Sequence, residues 1–445
     1  MGGRFLESLI AARRMGVDES DLAQSEETLR TFLFNLIAPD GLIQNGDTRQ
    51  PDHPFAQGSA LYGLLAWFKD SQNAVVRAAL EEMISGVLKA CVREQDDLIQ
   101  PAAKLPQSSG SHLAGYQIWP AICFYELTGY ADALKLAEGL ARSVMNDPVL
   151  SPSGEITLAR SSEGHMQSWL DTLAGCVRTA RHVQSLRSQG AIEGCGAVYD
   201  WVMRTNATRF GWVAMFPGHG SCETCAISAA IRLALELVAS GQPQYLDDVE
   251  RFIRNHLVES QFRQRDVPLL GCFPSESLPN EQLAARDGEW IVEGCCTNGG
   301  TRAISLAWDA AHVSKPDGIW INLLFSKASD AAEVVDHQPQ AGRVEITPRF
   351  TTGLRVRIPP WLTPHDAKIT VTGQPVAWHA DGGYFDIGLV PAGATALIEF
   401  PLPRSDETVS VAGKRYDLQW VGDTVVSVAP AGECEPMYQG RMPLE

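Results

Sequence analysis

Lys315-Pro316-Asp317-Gly318 is the stretch at which the chain changes character. Before it, apolar residues recur at i, i+3, i+4 and i+7, as in Ala121–Ala141 and Ala226–Val238, the period of amphipathic helices. After it come short runs rich in Val, Ile and Thr: Ile319–Phe325, Arg343–Ile346, Leu354–Ile358, Lys368–Val371, Leu397–Phe400 and Thr424–Val428. Turn residues such as Thr372-Gly373, Asp381-Gly382-Gly383 and Ala412-Gly413 separate them. The pattern predicts an antiparallel β-sandwich over 316–445 behind a helical domain over 1–315.

The helical part carries a weak internal period. Lys69-Asp70-Ser71, Thr128-Gly129-Tyr130, Ser188-Gln189-Gly190 and Ser240-Gly241-Gln242 read as tight turns between helices, about fifty to sixty residues apart. That spacing suits hairpins of two long helices, and about six of them fit before residue 315. Six hairpins closed in a ring give an all-α (α/α)₆ toroid; an open α-solenoid is the other arrangement the period allows.

Composition bounds the function. With 445 residues, 45% of them hydrophobic and 20% charged, the chain buries a large core and divides into more than one domain. A formal net charge of −17 argues against nucleic-acid partners and anionic membranes, both of which select basic surfaces. No apolar run reaches the roughly 18 residues of a membrane span, and residues 1–7 carry no signal-peptide core. Ten cysteines without a pairing framework predict reduced thiols and a cytoplasmic location. Cys91, Cys123, Cys176, Cys195, Cys272 and Cys434 read as small core hydrophobes.

The other four cysteines fall in two clusters, Ser221-Cys222-Glu223-Thr224-Cys225 and Glu293-Gly294-Cys295-Cys296-Thr297-Asn298. Glu223, Cys225, Cys295 and Cys296 together offer one carboxylate and three thiolates, a donor set for tetrahedral Zn²⁺. Cys222 makes a Cys-x-x-Cys with Cys225, so a closed four-cysteine structural zinc site stays open as the alternative. A helix beginning near Asn298 or Gly299 is expected to favour thiolate charge on Cys295 and Cys296.

Glu223-Thr224-Cys225-Ala226, the Tyr245-Leu246-Asp247-Asp248-Val249-Glu250-Arg251 segment, Cys295-Cys296-Thr297-Asn298 with Arg302, and Arg357-Ile358-Pro359-Pro360-Trp361 occur in that order. In order and rough spacing they resemble the motifs of glycoside hydrolase family 127, the β-L-arabinofuranosidases, from about Ser111 to the C-terminus. The resemblance implies an (α/α)₆ barrel with β-sandwich modules and Zn²⁺ on Glu223, Cys225, Cys295 and Cys296. It also implies Cys295 as nucleophile of a retaining hydrolysis, and a carbohydrate substrate. It leaves a homodimer open.

The family's acid/base glutamate has no counterpart here. The corresponding stretch, Thr205-Asn206-Ala207-Thr208-Arg209-Phe210-Gly211-Trp212, lacks a carboxylate, and a Gly-His of the family stands here as Gly115-Tyr116. Glu163 and Glu293 are the candidates for the acid/base, and His165, Tyr116 and His219 for contacts to substrate. The alternative function is a carbohydrate-binding or structural protein whose zinc only stabilises the fold.

Overall fold

The computed structural model describes residues 2–94, 97–100, 111–147, 149–150, 154–156, 164–263, 269–283, 285–286, 289–290, 292–433 and 435–441. The helices among them are α1 (Gly2–Arg14), α2 (Glu19–Leu36), α3 (Pro54–Ser71), α4 (Ala74–Ala90), α5 (Ser111–Gly115), α6 (Ile118–Thr128) and α7 (Ala131–Met145). There follow α8 (Met166–His182), α9 (Gln184–Ser188), α10 (Ala191–Thr205), α11 (Thr224–Ala239), α12 (Leu246–Phe252) and α13 (Gly294–Ala311).

Local chemistry sets several boundaries. Pro54 opens α3 behind His53, whose side chain accepts from the Ala56 N–H, and Asn73 caps α4 in the same way at Val75. Gly129 takes a left-handed conformation (φ 71°) that ends α6 before α7 begins. All four polar or glycine-containing triplets identified in the sequence lie at or beside breaks between helices.

Six helices touch in cyclic order: α1, α3, α6, α8, α11, α13, and back to α1. On their outside, α2 lies on α1, α4 on α3, α7 on α6, α10 on α8 and α12 on α11. The α1–α3 crossing is backbone to backbone. A Cβ on Gly3 would lie 2.0 Å from the Ser59 carbonyl oxygen, and one on Gly63 would lie 2.5 Å from that of Gly3.

Beyond α13 the chain is β-rich. Two sheets face each other over a core that includes Ile321, Ile346, Leu354, Val356, Phe385 and Ile398. The sandwich differs from the all-antiparallel expectation at one pair: Gly318–Ile321 runs parallel to Thr352–Arg357. Between these strands the chain passes through Ala332–Asp336 and Arg343–Pro348 of the opposite sheet, and such a crossover returns a strand in parallel. A third, three-stranded antiparallel sheet comprises Arg404–Val411, Lys414–Val421 and Thr424–Ala429. Its Tyr416, Leu418, Trp420 and Val425 belong to the same apolar core as the helices.

Candidate metal centre

Two helix starts build the site. Glu223 is the N-cap of α11 and Glu293 that of α13, so Cys225, Cys295 and Cys296 all sit in first turns. The second helix therefore begins some four residues earlier than the expected start near Asn298 or Gly299. Those glycines belong to the helix because they permit close packing: a Cβ on Gly299 would lie 3.1 Å from Cys225 Sγ, and one on Gly300 would lie 2.3 Å from the Phe273 ring. First-turn N–H groups and the helix dipole favour negative charge on the three sulfurs.

One ligand atom each from Glu223, Cys225, Cys295 and Cys296 lies within 4.8 Å of the others. Cys295 Sγ is 3.7 Å from Cys296 Sγ, which is 3.6 Å from Glu223 Oε1. A tetrahedron with Zn–S near 2.3 Å has edges of about 3.8 Å, so these edges suit the ion. Cys222 stands apart. Its extended segment bridges Ala214 and Ser277, and its Sγ accepts from the Val213 N–H at 3.3 Å. Successive side chains in extended backbone point to opposite sides, which separates Cys222 from Glu223.

The surroundings are charged. Arg4 is 1% exposed, places Nη2 3.8 Å from Cys225 Sγ, and has no ion pair with a carboxylate among the described residues. Its guanidinium balances the sulfur cluster. The Cys225 and Cys296 thiols lower the Cys295 pKa by donating to its sulfur, and the Arg4 charge assists. Burial raises Cys225, while sharing protons with Cys225 and Cys295 raises Cys296. Glu293 Oε2 lies 3.3 Å from Cys295 Sγ, and that sulfur pushes the Glu293 carboxyl up to about 7.

The other candidates are distributed as follows. His165, at the N-cap of α8, places Nε2 2.6 Å from Glu223 Oε2 and Nδ1 2.9 Å from Ser168 Oγ. Burial opposes its protonation, but Glu223 and then Cys295 outweigh burial and raise its pKa. Tyr116 is buried, stacks on Phe55 at 4.6 Å, and its hydroxyl accepts from Arg302 Nη1 at 3.1 Å. His219 is set off from the centre. Its Nδ1 accepts from the Ser221 N–H, and its ring reaches His165 only through Phe216. Glu163 lies outside the described residues.

The stretch 205–212 has a structural task. Ala207 bridges Val213, and Trp212 Nε1 donates to the Ser277 carbonyl, fixing the strand that carries Cys222. Sequence reasoning missed Arg4 and Phe55, whose proximity to the centre comes only from the ring closing, and Ser168, which meets His165 one turn along α8.

No protein-family model and no curated protein matches the sequence. Solved structures do. A glycoside hydrolase family 127 β-L-arabinofuranosidase from Geobacillus stearothermophilus T6 aligns over 95% of this chain and 75% of its own, with TM-score 0.70 and 14% identity. A second β-arabinofuranosidase of that family aligns over 95% and 74%, with TM-score 0.73 and 14% identity. A sugar epimerase from a ruminal bacterium aligns over 70% and 87%, with TM-score 0.53 and 13% identity. At such identities the likeness is one of fold: this chain has the fold of the family 127 β-L-arabinofuranosidases.

Proposed function

We propose that the protein is a retaining, β-L-arabinofuranosidase-like glycoside hydrolase. In this reading Zn²⁺ is held by Glu223, Cys225, Cys295 and Cys296, and Cys295 is the nucleophile. The observation that carries it is the unequal burial of the donor set: Glu223, Cys225 and Cys296 are buried, whereas Cys295 is partly exposed. The sulfur on the open side of the cluster is the one a substrate can reach, as a nucleophile requires. When bound, the ion supplies positive charge that keeps the cysteine sulfurs deprotonated at neutral pH.

The chain's own residues then divide the work. Cys295 Sγ attacks the anomeric carbon, a C–S bond forms, and the bond to the leaving oxygen breaks. Glu293, whose Oε2 lies 3.3 Å from Cys295 Sγ, donates to that oxygen and then takes a proton from the water that cleaves the C–S bond. His165, with both nitrogens engaged, positions the Glu223 carboxylate. Tyr116 acts through its stacking on Phe55.

The ring of six inner helices, five of them backed by an outer helix among the described residues, supports a six-hairpin toroid as the catalytic unit over 1–315, with 316–445 as the β unit. The reading extends to a cytoplasmic location with reduced thiols and to a homodimer, which sedimentation checks.

A panel of nitrophenyl glycosides that includes arabinofuranosides, combined with metal analysis, tests the proposal. Hydrolysis of the β-L-arabinofuranoside is expected. Cys295→Ser should retain zinc and lose about 10³-fold or more in kcat. Glu293→Gln should lose about 10²–10⁴-fold, while Glu163→Gln stays active. Full activity in Cys295→Ser, or silence of the wild type across the panel, overturns the assignment and leaves zinc as a structural element.

A further inference from the structure

Cys222 and Ser277 exchange both backbone hydrogen bonds, at 2.8 Å and 3.0 Å, so their two segments pair antiparallel at this point. One residue further along, Glu223 stands opposite Glu276, and alternation places Ser221 on the same face as that pair. Cys222 and Ser277 take the other face, where the Ser277 hydroxyl meets the buried His256 Nε2 at 2.9 Å. The register therefore carries Glu276, which no motif marked, to the side of the segment that faces the metal centre.

Like charges directly opposite each other on paired segments destabilise them, so the fold gains nothing from a second carboxylate beside Glu223. The two groups are treated differently. Glu223 is buried, with one oxygen bonded to His165 and the other to Cys296. Glu276 is partly exposed; its Oε2 accepts from Ser221 Oγ at 2.7 Å, and no described residue bonds to its Oε1. Its backbone is fixed on both sides. The Glu276 carbonyl accepts from the Leu283 N–H at 3.0 Å, and Ser275 Oγ accepts from the Glu293 N–H at 2.7 Å, two residues before Cys295.

The result is a carboxylate with one oxygen anchored and the other open, on a rigid segment beside the partly exposed sulfur. A hydroxyl is the group it suits, because a charged acceptor makes a strong hydrogen bond to a neutral O–H donor. We infer that Glu276 is a specificity-determining residue of this site, accepting a hydroxyl of the sugar whose anomeric carbon lies at Cys295. The inference rests on the glycoside hydrolase reading given above.

Titration calorimetry tests it on the full chain carrying Cys295→Ser, with methyl β-L-arabinofuranoside and its monodeoxy derivatives as ligands. Adding Glu276→Gln keeps an oxygen for Ser221 and removes the charge. It should weaken the parent glycoside about tenfold, leave at least one monodeoxy derivative unaffected, and not lower the melting temperature. A site built around a hydroxyl loses nothing on a sugar that lacks it. With Cys295 in place, Glu276→Gln should raise KM for the nitrophenyl β-L-arabinofuranoside about tenfold. Equal losses on every sugar, no loss on any, or failure of the parent glycoside to bind overturns the inference. Silence of the wild type on the nitrophenyl panel, with Glu276-dependent binding intact, overturns the hydrolase reading and leaves Glu276 as a sugar ligand.

Discussion

A β-carbon on Gly299 would meet Cys225 at both Sγ (3.1 Å) and Cα (3.2 Å), so α11 and α13 touch directly behind the sulfur cluster. A methyl group forces one ligand aside by a few tenths of an ångström, and a branched side chain forces the helices apart. Gly299→Val should therefore cost about 2–3 kcal/mol and, if the cluster holds zinc as proposed, lower the metal bound per chain. Gly46→Ala, where the nearest atom outside the backbone is 3.9 Å away, should stay within about 0.5 kcal/mol. Metal analysis and denaturant melts check both, and normal zinc content in Gly299→Val would show that the packing does not hold the site. The clustering of Glu223, Cys225, Cys295 and Cys296 was legible in the sequence because cysteine and glutamate at such spacing carry a chemistry of their own. Arg4 was not. It lies 221 residues from Cys225, and nothing in the composition of α1 marks one arginine as the cation that will face the thiolates.

At the scale of elements, the turns between helices were readable from glycine and polar triplets, since each must interrupt a 3.6-residue period. The start of α13 was misplaced because paired glycines look like a helix boundary, whereas Gly299 and Gly300 serve contacts to Cys225 and Phe273 that only the tertiary structure supplies. The π-helical turn Ile253–Leu257 carries a comparable hidden feature. Its His256 is fully buried, with Nε2 2.9 Å from Ser277 Oγ and its ring 5.7 Å from that of Phe210. Burial pushes its pKa down to about 3. The unfolded chain takes up a proton near pH 6.5 while the folded one does not, so unfolding is favoured as the pH falls. This histidine's neutral form leaves stability intact above about pH 6.5 and erodes it at about 1.4 kcal/mol per pH unit from there towards pH 3. Between pH 7 and 5, wild type should lose about 2 kcal/mol more than His256→Gln in urea melts; parallel losses would place the burial penalty elsewhere.

At the scale of the molecule, the division at residues 315–318 was visible from periodicity, but the seam across it was not. Leu354-Arg355-Val356-Arg357-Ile358 reads as a strand with alternating charges, one of which is fully enclosed. Arg357 is 4% exposed and bonds to Asp247 and Glu250 of α12 and to the Asn322 carbonyl. Glu250 also accepts from the Leu324 N–H and from Arg254, which reaches Asp336 of the sandwich at 2.9 Å. Asn255, on the same stretch, bonds to Val425 and Asp423 of the three-stranded sheet. One short helical segment thus ties the helices to the sandwich through buried charges and to the three-stranded sheet through a buried amide. Such pairs add little over an apolar seam, but breaking one leaves a charge without its partner in a dry interface. Arg357→Ala should accordingly cost about 3 kcal/mol, because Glu250, 1% exposed, would be left to share Arg254 with Asp336 and cannot recover the loss from water. Arg415 pairs with Asp417 on a solvated hairpin, with 71% of its side chain exposed, so Arg415→Ala should change stability by less than about 0.5 kcal/mol. Denaturant melts of the two variants give the contrast directly. Equal, small losses would mean that apolar packing, and not the Arg357 network, joins the helical and β regions.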